Sequence, residues 1–448
     1  MMGYTCYYAI TNQQELINNS YNGRQELLIS QNRRGTIYAA GGQVLAQTET
    51  EEDGSETRVY PYGNLFAHAV GYATNGKYGI ESLSNYYLIN SNAKLADKVA
   101  SDVAGEKYPG DSVATTLDVG VQEVAFQSLG IYKGAIIVSE PDTGKIIAMV
   151  SKPDFDPNEI DAIWDELLED KESSVLLNRA TQGLYPPGST FKIVTALEYI
   201  RENPDTYNQY SYQCGGRFTS GQDTINCYHG SIHGYEDFTK SFAKSCNSSF
   251  ANIGMQIDRA RFGDTLNSLL FNKELPVAFN YNKSRLIVDE STTDSDIMQA
   301  VIGQGTTQIT PLHLNMITCA IANNGVLMKP YLVDYVKNNE GNIIKQFNPN
   351  TYRKLMSEEE AAALNSLMQE VITSGTGTKL AGQSYTAAGK TGSAEYSNVK
   401  TESHAWFTGF APAEDPEVCV TIIIEGAGSG GDYAVPIAKR IFNEYFGQ

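Results

Sequence analysis

The sequence predicts a mixed α/β fold of the α+β type, in which helices flank an antiparallel sheet built from five candidate strands. Two β-rich runs, residues 134–140 and 145–150, enclose the turn sequence Pro-Asp-Thr-Gly, which is typical of a β-hairpin. We expect helices to fill the region between this hairpin and Lys390. The other three strands are expected around Lys390, at residues 404–410 and at residues 418–424.

The length of 448 residues is sufficient for two or three domains with ample core. Residues 1–110 are rich in Tyr, Asn and Gly and contain short strand-like runs. They predict a small β-rich N-terminal domain, which we call the pedestal. Residues 111–448 are expected to form the larger domain, which contains the predicted sheet.

The charge balance excludes several classes of function. The chain has 33 basic and 52 acidic residues, which gives a formal net charge of −19. Nucleic acids and anionic membrane surfaces both require a basic face, so neither is an expected partner. No run of about 18 apolar residues and no signal peptide is visible, so the sequence itself predicts no membrane-spanning helix.

The six cysteines and five histidines show no metal-binding spacing. No Cys-x-x-Cys pair occurs and the histidines do not cluster along the chain, so neither a metal nor a cofactor is expected. Cys214 and Cys227 flank a Gly-rich stretch, and they can form a disulfide in an extracellular protein or stay free buried thiols. His229 and His233 lie among glycines, so we expect them in a loop with a structural or substrate-proximal role.

A serine followed three residues later by a lysine can supply a nucleophile without histidine. Ser189 and Lys192 follow a Pro-Pro-Gly turn and open an apolar stretch, residues 190–200, so both side chains are expected on one helix face. Ser189 is the candidate nucleophile, in the first turn of that helix. The same spacing occurs without this context at Ser91/Lys94, Ser241/Lys244 and Ser397/Lys400.

Lys192 is the candidate base, a role that requires a neutral amine. Burial and a nearby positive charge both lower the pKa of a lysine, and Lys390 is the candidate source of that charge. Ser245 can relay a proton between the lysines and the leaving amine. Asn247 carries a donor and an acceptor that suit a peptide amide. An ordinary helix cap is the other interpretation of this Ser-Cys-Asn tripeptide.

A third motif, Lys390-Thr391-Gly392-Ser393, predicts a strand with little side-chain bulk, beside which a peptide can lie as an added strand. The hydroxyl groups of Thr391 and Ser393, next to Lys390, suit a carboxylate. The backbone N–H groups of Ser189 and Ser393 are the expected oxyanion hole. The spacing of a phosphate-binding loop is absent, so we discard that alternative.

Ser-x-x-Lys, Ser-x-Asn and Lys-Thr-Gly in this order mark the β-lactamases and penicillin-binding proteins. Further matching segments are residues 34–38, 79–81, 178–180, 303–312, 405–412 and 430–438. Over nearly its whole length the chain resembles a class B penicillin-binding protein of the PbpA-like subgroup. Such proteins are monofunctional peptidoglycan transpeptidases without a glycosyltransferase domain.

The resemblance implies a penicillin-binding transpeptidase fold and a D,D-transpeptidase reaction. Ser189 would attack the penultimate D-Ala carbonyl of a stem peptide, and an amine of a neighbouring stem would resolve the acyl-enzyme. β-Lactams would acylate Ser189 as substrate mimics. The resemblance also implies a membrane glycosyltransferase of the shape, division or sporulation type as partner. It places the chain at the extracellular face of the cell membrane, through an N-terminal helix that this sequence does not contain.

Two alternative functions stay open. If water resolves the acyl-enzyme, the chain is a D,D-carboxypeptidase or a β-lactamase-like hydrolase, although its length and pedestal disfavour a β-lactamase. A non-catalytic β-lactam sensor or scaffold is the other alternative. A sensor would need a signalling membrane region, and a scaffold is expected to lose motif residues, all of which are intact here.

Overall fold

The computed structural model describes residues 24–170, 174–396 and 403–448, so Cys6 and the Ser397/Lys400 pair lie outside the described residues. Contacts within the chain separate it into two compact units. The first comprises Met1–Gln122, Asp154–Leu176 and Tyr331–Asn348, and the second comprises Glu123–Pro153, Leu177–Pro330 and Pro349–Gln448. The predicted domain boundary at residue 110 stays a prediction.

The described residues contain short and long strands in both units. In chain order they are β1 (Asn32–Arg33), β2 (Ile37–Tyr38), β3 (Val44–Thr50), β4 (Glu56–Val59), β5 (Tyr108–Pro109), β6 (Ser112–Thr115), β7 (Gly134–Ser139), β8 (Ile146–Lys152), β9 (Ser211–Cys214), β10 (Arg217–Ser220), β11 (Asp223–Asn226), β12 (Gly234–Asp237), β13 (Val326–Met328), β14 (Val333–Lys337), β15 (Ile343–Gln346), β16 (Thr351–Lys354), β17 (Ala388–Glu395), β18 (Ser403–Ala411) and β19 (Val418–Ile424).

The α-helices are numbered in the same way. They are α1 (Arg24–Gln31), α2 (Ala67–Val70), α3 (Gly79–Leu83), α4 (Asn85–Leu88), α5 (Leu95–Ala104), α6 (Val119–Leu129), α7 (Ile160–Glu169), α8 (Lys192–Glu202), α9 (Phe238–Ala243), α10 (Asn247–Gly254), α11 (Arg259–Ser268), α12 (Asp294–Ala300), α13 (Pro311–Ala322), α14 (Glu358–Thr373) and α15 (Gly430–Tyr445). Within the described part of the chain, no helix has both the length and the apolar character needed to cross a bilayer.

The first unit is built on a six-stranded sheet with the order β15-β14-β6-β2-β3-β4. Strand β6 runs parallel to β2 and antiparallel to β14. The register places Val113 opposite both Ile37 and Val336, and all three side chains are completely buried. The centre of this sheet is therefore apolar and combines strands that are far apart in sequence.

A buried ionic cluster ties the start of the first unit to α3. The carboxylate of Glu81 is completely buried and accepts hydrogen bonds from Nε of Arg34 and Nε of Arg58, both at 2.7 Å. Both arginines lie in or near the first strands of the sheet. The matching segments at residues 34–38 and 79–81 thus meet through an ion pair.

The second unit contains the predicted five-stranded antiparallel sheet, with the order β17-β18-β19-β7-β8, which confirms the expected fold class. Every residue of β7, β18 and β19 is buried. Strands buried along their whole length need cover on both faces of the sheet. The hairpin between β7 and β8 turns at residues 141–144, as the Pro-Asp-Thr-Gly sequence predicts.

Two long helices supply part of this cover. Helix α13 is buried on all sides and packs against β7, β18 and β19. A helix that is apolar all round belongs in the core of a domain. Helix α15 packs against β17, β18 and β19. The β17 strand, which carries the Lys-Thr-Gly motif, is therefore held on a rigid layer.

Helices do not fill the whole region between the hairpin and Lys390, which corrects the prediction. Strands β9 to β12 form two antiparallel pairs, β10-β11 and β12-β9, between α8 and α9. Strands β13 and β16 form a further pair. The two-residue Gly221-Gln222 loop between β10 and β11 is a hairpin signal that could have identified the first of these pairs.

Candidate active site

Ser189 lies in a 3-10 turn, Gly188–Phe191, that leads directly into α8. It therefore precedes the α-helix and does not occupy its first turn, which corrects the predicted start of the helix. Side chains three residues apart eclipse one another in a 3-10 turn. The Nζ atom of Lys192 accordingly lies 3.1 Å from the Oγ atom of Ser189. The structure brings the candidate nucleophile and base together.

The turn before the helix is held from several sides. Gly188 has a φ of 53°, a conformation that favours glycine, and its N–H donates to the backbone oxygen of Gly303 at 2.9 Å. A Cβ atom on Gly188 would lie 2.8 Å from the backbone oxygen of Ser393. The Nε1–H of Trp406 donates to the backbone oxygen of Pro186 at 3.1 Å. These contacts fix the position of the nucleophile relative to the sheet.

Oxygen atoms surround the amine of Lys192, whose side chain is completely buried. Besides Ser189, its Nζ atom contacts the backbone oxygen of Ser245 at 2.7 Å, the Oγ atom of Ser245 at 3.2 Å and Oδ1 of Asn247 at 2.7 Å. The first two motifs of the sequence therefore converge on a single amine.

Burial is the main cause that lowers the pKa of Lys192, to about 8. Lys390 is also completely buried, and burial together with the charge of Lys192 holds its pKa well below the ordinary lysine range. The sequence suggested that the charge of Lys390 lowers the pKa of Lys192. In the structure burial lowers the pKa of Lys192, and the charge of Lys192 contributes to the lowered pKa of Lys390.

Ser245 bridges the two lysines. Its Oγ atom lies 3.2 Å from Nζ of Lys192 and 3.0 Å from Nζ of Lys390. Its backbone has a φ of 60°, which is unusual for a residue with a side chain and is a form of strain often found at active sites. Cys246 is the N-cap of α10, and Asn247 is the first residue of that helix. The helix-cap interpretation of the tripeptide is thus correct for Cys246, while its two neighbours face Lys192.

The third motif lies in a strand, β17, as predicted, and this strand pairs with β18. This part of the strand carries Lys390, Thr391, Gly392 and Ser393. The Oγ1 atom of Thr391 lies 2.5 Å from that of Thr376, and the Oγ atom of Ser393 accepts a hydrogen bond from the N–H of Gly430 at 3.4 Å. Both hydroxyl groups are therefore held in defined positions next to a buried amine.

A cavity of about 470 Å³ opens at Ser189, a size within the range of small-molecule sites. Asn247 and Ser393 also line it, whereas Lys192 and Lys390 are buried behind its wall. His229, for which the sequence predicted a structural or substrate-proximal role, also lines the cavity. Sequence reasoning missed most of the other lining residues, which come from the β11 region, the loop after α12 and the end of β17. They include Thr224, Asn226, Tyr228, Gln304 and Glu395.

The other described Ser-x-x-Lys pairs have no comparable environment. Lys94 is exposed and forms an ion pair with Glu340 at 2.8 Å. Lys244 is exposed, and the hydroxyl group of Ser241 instead contacts Ser249 at 2.7 Å. The turn and the helix around Ser189, and not the spacing alone, are therefore what distinguish it.

The cysteines next to the site are free thiols. The Sγ atoms of Cys214 and Cys227 lie 3.8 Å apart, so the disulfide that the sequence allowed is not present. The sequence spacing indicated no metal site, but the structure brings these two residues together with His233 and Cys246. Their ligand atoms form a compact group at the edge of the active site.

Comparisons with known proteins agree with this geometry. The family model of the penicillin binding protein transpeptidase domain matches residues 134–443. The family model of the penicillin binding protein A dimerisation domain matches residues 34–113. Together the two matches cover the five-stranded sheet of the second unit and strands β2 to β5 of the first unit.

Individual relatives match along most of their length. Peptidoglycan D,D-transpeptidase PbpA of Mycolicibacterium smegmatis is 32% identical over 446 residues, which cover 91% of this chain and 88% of the relative. The imipenem acyl-enzyme complex of penicillin-binding protein A from M. tuberculosis has a TM-score of 0.84 at 28% identity, covering 93% of this chain and 99% of that chain. A D,D-transpeptidase domain from Eggerthella lenta has a TM-score of 0.83 at 31% identity, with the same coverage.

Proposed function

This chain belongs to the penicillin-binding protein transpeptidase family, and on that premise we propose which of its residues perform the reaction. It is a peptidoglycan D,D-transpeptidase, a serine acyltransferase that cross-links stem peptides in bacterial cell wall synthesis. β-Lactams acylate and inhibit it. The residue roles that follow rest on the contacts of the second unit.

Ser189 is the nucleophile and Lys192 is the base. Neutral Lys192 takes the proton of the Ser189 hydroxyl group at 3.1 Å while Oγ forms a bond to the carbonyl carbon of the penultimate D-Ala. The pKa of about 8 leaves roughly a tenth of the amine neutral at pH 7. Ser189, which lines the cavity, is within reach of a bound peptide.

Ser245 and Lys390 complete the proton path. When the tetrahedral intermediate collapses, the C–N bond breaks and the leaving D-Ala amine takes a proton. The Oγ atom of Ser245 lies within 3.2 Å of both lysine amines, so it can pass a proton from either of them. A neutral Lys390 can in turn receive a proton from Lys192 through the same hydroxyl group.

Strand β17, which carries the Lys-Thr-Gly motif, and Asn247 bind the substrate. The hydroxyl groups of Thr391 and Ser393 are oriented by Thr376 and Gly430 and suit the terminal carboxylate. The backbone N–H groups of Ser189 and Ser393 form the oxyanion hole. This proposal is supported by the close packing of the 3-10 turn that carries Ser189 against β17. Asn247 uses its oxygen for Lys192 and donates one amide hydrogen to the backbone oxygen of Asn226 at 3.1 Å, which leaves its second amide hydrogen for the peptide.

The acyl-enzyme is an ester on Ser189. The amine of a second stem peptide attacks this ester, Lys192 accepts the amine proton, and the Ser189 oxygen leaves as the hydroxyl group. The cross-link is then an amide bond, and the enzyme returns to its starting state. A β-lactam follows the first half of the same path, with its ring amide in place of the peptide bond.

One observation carries these assignments: the buried amine of Lys192 lies at hydrogen-bonding distance from Ser189, Ser245 and Asn247. The test is to incubate the protein with a labelled penicillin and to map the adduct by mass spectrometry. We expect one stable adduct on Ser189 and none in Ser189→Ala. An adduct elsewhere, or none, overturns the assignment, and an adduct lost rapidly to water favours the hydrolase alternative.

A partner and a location follow from the family resemblance. The chain acts at the outer face of the cell membrane, through an N-terminal membrane helix, together with a membrane glycosyltransferase of the shape, division or sporulation type. The substrate supports this location and this partner, because newly polymerised peptidoglycan is supplied at the outer face of the membrane. Co-purification of the full-length protein with such a glycosyltransferase from solubilised membranes tests the partnership, and purification with none of them contradicts it.

A further inference from the structure

Strand β17 is an edge strand of the five-stranded sheet. It pairs with β18 on one side, and no strand lies on its other side within the described residues. Ser393 and Glu395, which belong to this strand, line the cavity that opens at Ser189. An edge strand presents backbone N–H and C=O groups to which an extended peptide can add as a further strand. The length of peptide that β17 can bind therefore depends on which of these groups are free.

The side-chain amide of Gln304 already fills one position on this edge. Its nitrogen donates to the backbone oxygen of Glu395 at 3.2 Å, and its oxygen accepts from the backbone N–H of Glu395 at 3.1 Å, in the amide orientation that satisfies both groups. One amide thus donates to and accepts from a single residue, as a residue of a neighbouring antiparallel strand does. Gln304 takes the place of a strand partner at the end of β17.

The Gln304 contact also shows which residues of β17 turn their backbone groups to the free edge. In an antiparallel sheet these groups point alternately to one neighbour and to the other along the strand. Since the groups of Glu395 face the edge, those of Ser393 and Thr391 face it too. A second contact agrees, because the Nζ atom of Lys390 donates to the backbone oxygen of Thr391 at 3.1 Å.

One pairing position therefore lies between two occupied ones. The backbone oxygen of Thr391 is bound by Lys390, and both backbone groups of Glu395 are bound by Gln304. Ser393 is the edge-facing residue between them. Its backbone groups are the ones that a bound peptide can reach without displacing a side chain.

We propose that Gln304 is a specificity-determining residue, which caps the edge of β17 and limits the donor peptide to one backbone pairing position, at Ser393. The inference deepens the proposed function and rests on it. The penultimate D-Ala pairs with Ser393, whose N–H belongs to the oxyanion hole, and the terminal carboxylate lies toward Thr391. The donor thus runs antiparallel to β17, and the residues before the penultimate D-Ala turn away from the strand at Glu395. The enzyme recognises the two terminal residues and not the backbone that precedes them.

The backbone around the cap is held independently of the Gln304 side chain. The backbone oxygen of Gly303 accepts from the N–H of Gly188 at 2.9 Å, and the N–H of Gln304 donates to the backbone oxygen of Gln299 at 3.0 Å. Truncation of the side chain keeps both of these hydrogen bonds. The variant Gln304→Ala therefore frees the two groups of Glu395 without removing the backbone contact that holds the nucleophile turn.

Hydrogen exchange tests the cap without any reaction. In the wild type we expect the N–H of Glu395 to exchange about tenfold more slowly than in Gln304→Ala, because only the wild type bonds it. Gln308→Ala is the matched control: this glutamine lies in the same segment, is exposed, and pairs with Arg285 through its backbone alone. It should keep the protection. Mass spectrometry with fragmentation to single residues gives the rates, and a Glu395 amide that is unprotected in the wild type overturns the cap.

Two acyl donors of different length test the specificity. The short donor is acetyl-D-Ala-D-thiolactate, and the long donor carries three α-linked L-Ala residues between the acetyl group and D-Ala. Ser189 forms its ester as the C–S bond breaks and thiolactate leaves with a proton. Wild type and Gln308→Ala should be acylated by both donors with second-order rate constants that agree within about twofold. In Gln304→Ala the long donor can pair with Glu395, so the ratio of long to short should rise about tenfold.

The ratio separates specificity from a merely structural role. A general disturbance of the site slows both donors together and leaves the ratio unchanged in Gln304→Ala, which contradicts the proposal. A wild type that already prefers the long donor about tenfold contradicts it as well.

The inference and the proposed function fail in different ways. A penicillin adduct on Ser189 together with an unchanged donor ratio in Gln304→Ala overturns the inference and leaves the acyl transfer standing. A protected Glu395 amide in a wild type that forms no adduct on Ser189 overturns the proposed function, and the role of Gln304 in donor specificity with it.

Discussion

At the scale of single residues, Lys192 couples protonation to catalysis. Its amine must be neutral to accept the proton of Ser189, and burial lowers its pKa to about 8. A base with a lowered pKa gains its active form as the pH rises through that value. We therefore predict that the rate constant for acylation rises about tenfold per pH unit below pH 8 and levels off above it. Rapid-mixing measurements with a fluorescent penicillin give this profile.

The matched comparison uses the lysine of another Ser-x-x-Lys pair. Lys192→Ala should abolish acylation at every pH, since no other described amine lies at the Ser189 hydroxyl group. Lys94→Ala removes an exposed lysine from the same spacing and should keep both the rate and the profile. A wild-type rate that stays constant from about pH 6 to about pH 9 would show that Lys192 is not the base.

Two substitutions of Ser245 separate the effect of losing its hydroxyl group from the effect of relieving its backbone strain. Ser245→Gly and Ser245→Ala both remove the relay, and each should slow acylation about 100-fold or more. Glycine relaxes the backbone at a φ of 60°, so the glycine variant should be more stable than the alanine variant by about 1 kcal/mol. Urea denaturation measures this difference. Equal stability of the two variants, or acylation at the wild-type rate, contradicts the prediction.

The residues of the three motifs could be found from sequence because their order and local context are distinctive. The cause of the low pKa of Lys192 could not be found from the sequence, because it depends on how completely the folded chain encloses this amine. The Cys–His cluster was missed for a related reason. Its side chains, Cys214, Cys227, His233 and Cys246, follow no motif and meet only after residues 211–237 have folded back onto α10.

At the scale of elements, the turn before α8 depends on its contact with Gly303. A Cβ atom added to Gly303 would lie 2.1 Å from the backbone oxygen of Gly188, the residue before the nucleophile. We predict that Gly303→Ala displaces this turn and slows acylation at least about 100-fold. Gly382→Ala is the matched control, because its φ of 73° equals the 72° of Gly303 within a degree but no atom lies within 4 Å of the added Cβ.

Both variants carry the same backbone strain, so both should lose about 1–2 kcal/mol of stability. Only Gly303→Ala adds the collision with Gly188. The acylation rate and the midpoint of thermal unfolding, measured on both proteins, separate the two effects. Equal acylation rates in the two variants would show that the Gly303 contact does not position Ser189.

The five long strands of the second unit were predictable, since apolar runs and a Pro-Asp-Thr-Gly turn specify four of them locally and the Lys-Thr-Gly motif marks β17. Strands β9 to β12 were not predicted, because each is only four residues long and half of their residues are exposed. The Gly221-Gln222 loop is a local signal for the β10-β11 pair alone. Short exposed strands of this kind carry little apolar alternation to recognise.

At the scale of the whole molecule, each compact unit is built from segments that are not consecutive in the chain. Strand β14 lies more than 200 residues after β6, yet it completes the sheet of the first unit. A local pattern cannot identify such a partner, because pairing across that distance depends on the rest of the fold. The predicted pedestal of residues 1–110 was drawn from local composition alone and could not include β14.

The stability of the first unit depends on the ionic cluster at Glu81. Burial alone would raise the pKa of this carboxyl group, but Arg34 and Arg58 outweigh it and hold the pKa below the ordinary value of 4.5. A carboxylate with a lowered pKa stabilises the fold above its unfolded-state pKa, and that contribution is lost as the pH falls below about 4.5. We predict that Glu81→Gln leaves two buried guanidinium groups without a counter-charge and lowers the unfolding free energy by about 3–5 kcal/mol.

Glu56→Gln is the control for this prediction. Its carboxylate pairs with Lys107 at 2.8 Å in a partly exposed position, where an ion pair contributes at most about 1 kcal/mol. Denaturant unfolding at neutral pH should separate the two variants, and the difference between Glu81→Gln and the wild type should shrink near pH 3. Acylation of Ser189 should be unchanged in both folded proteins, because every proposed catalytic residue belongs to the second unit. Equal, small losses of stability would show that Glu81 does not hold the first unit together.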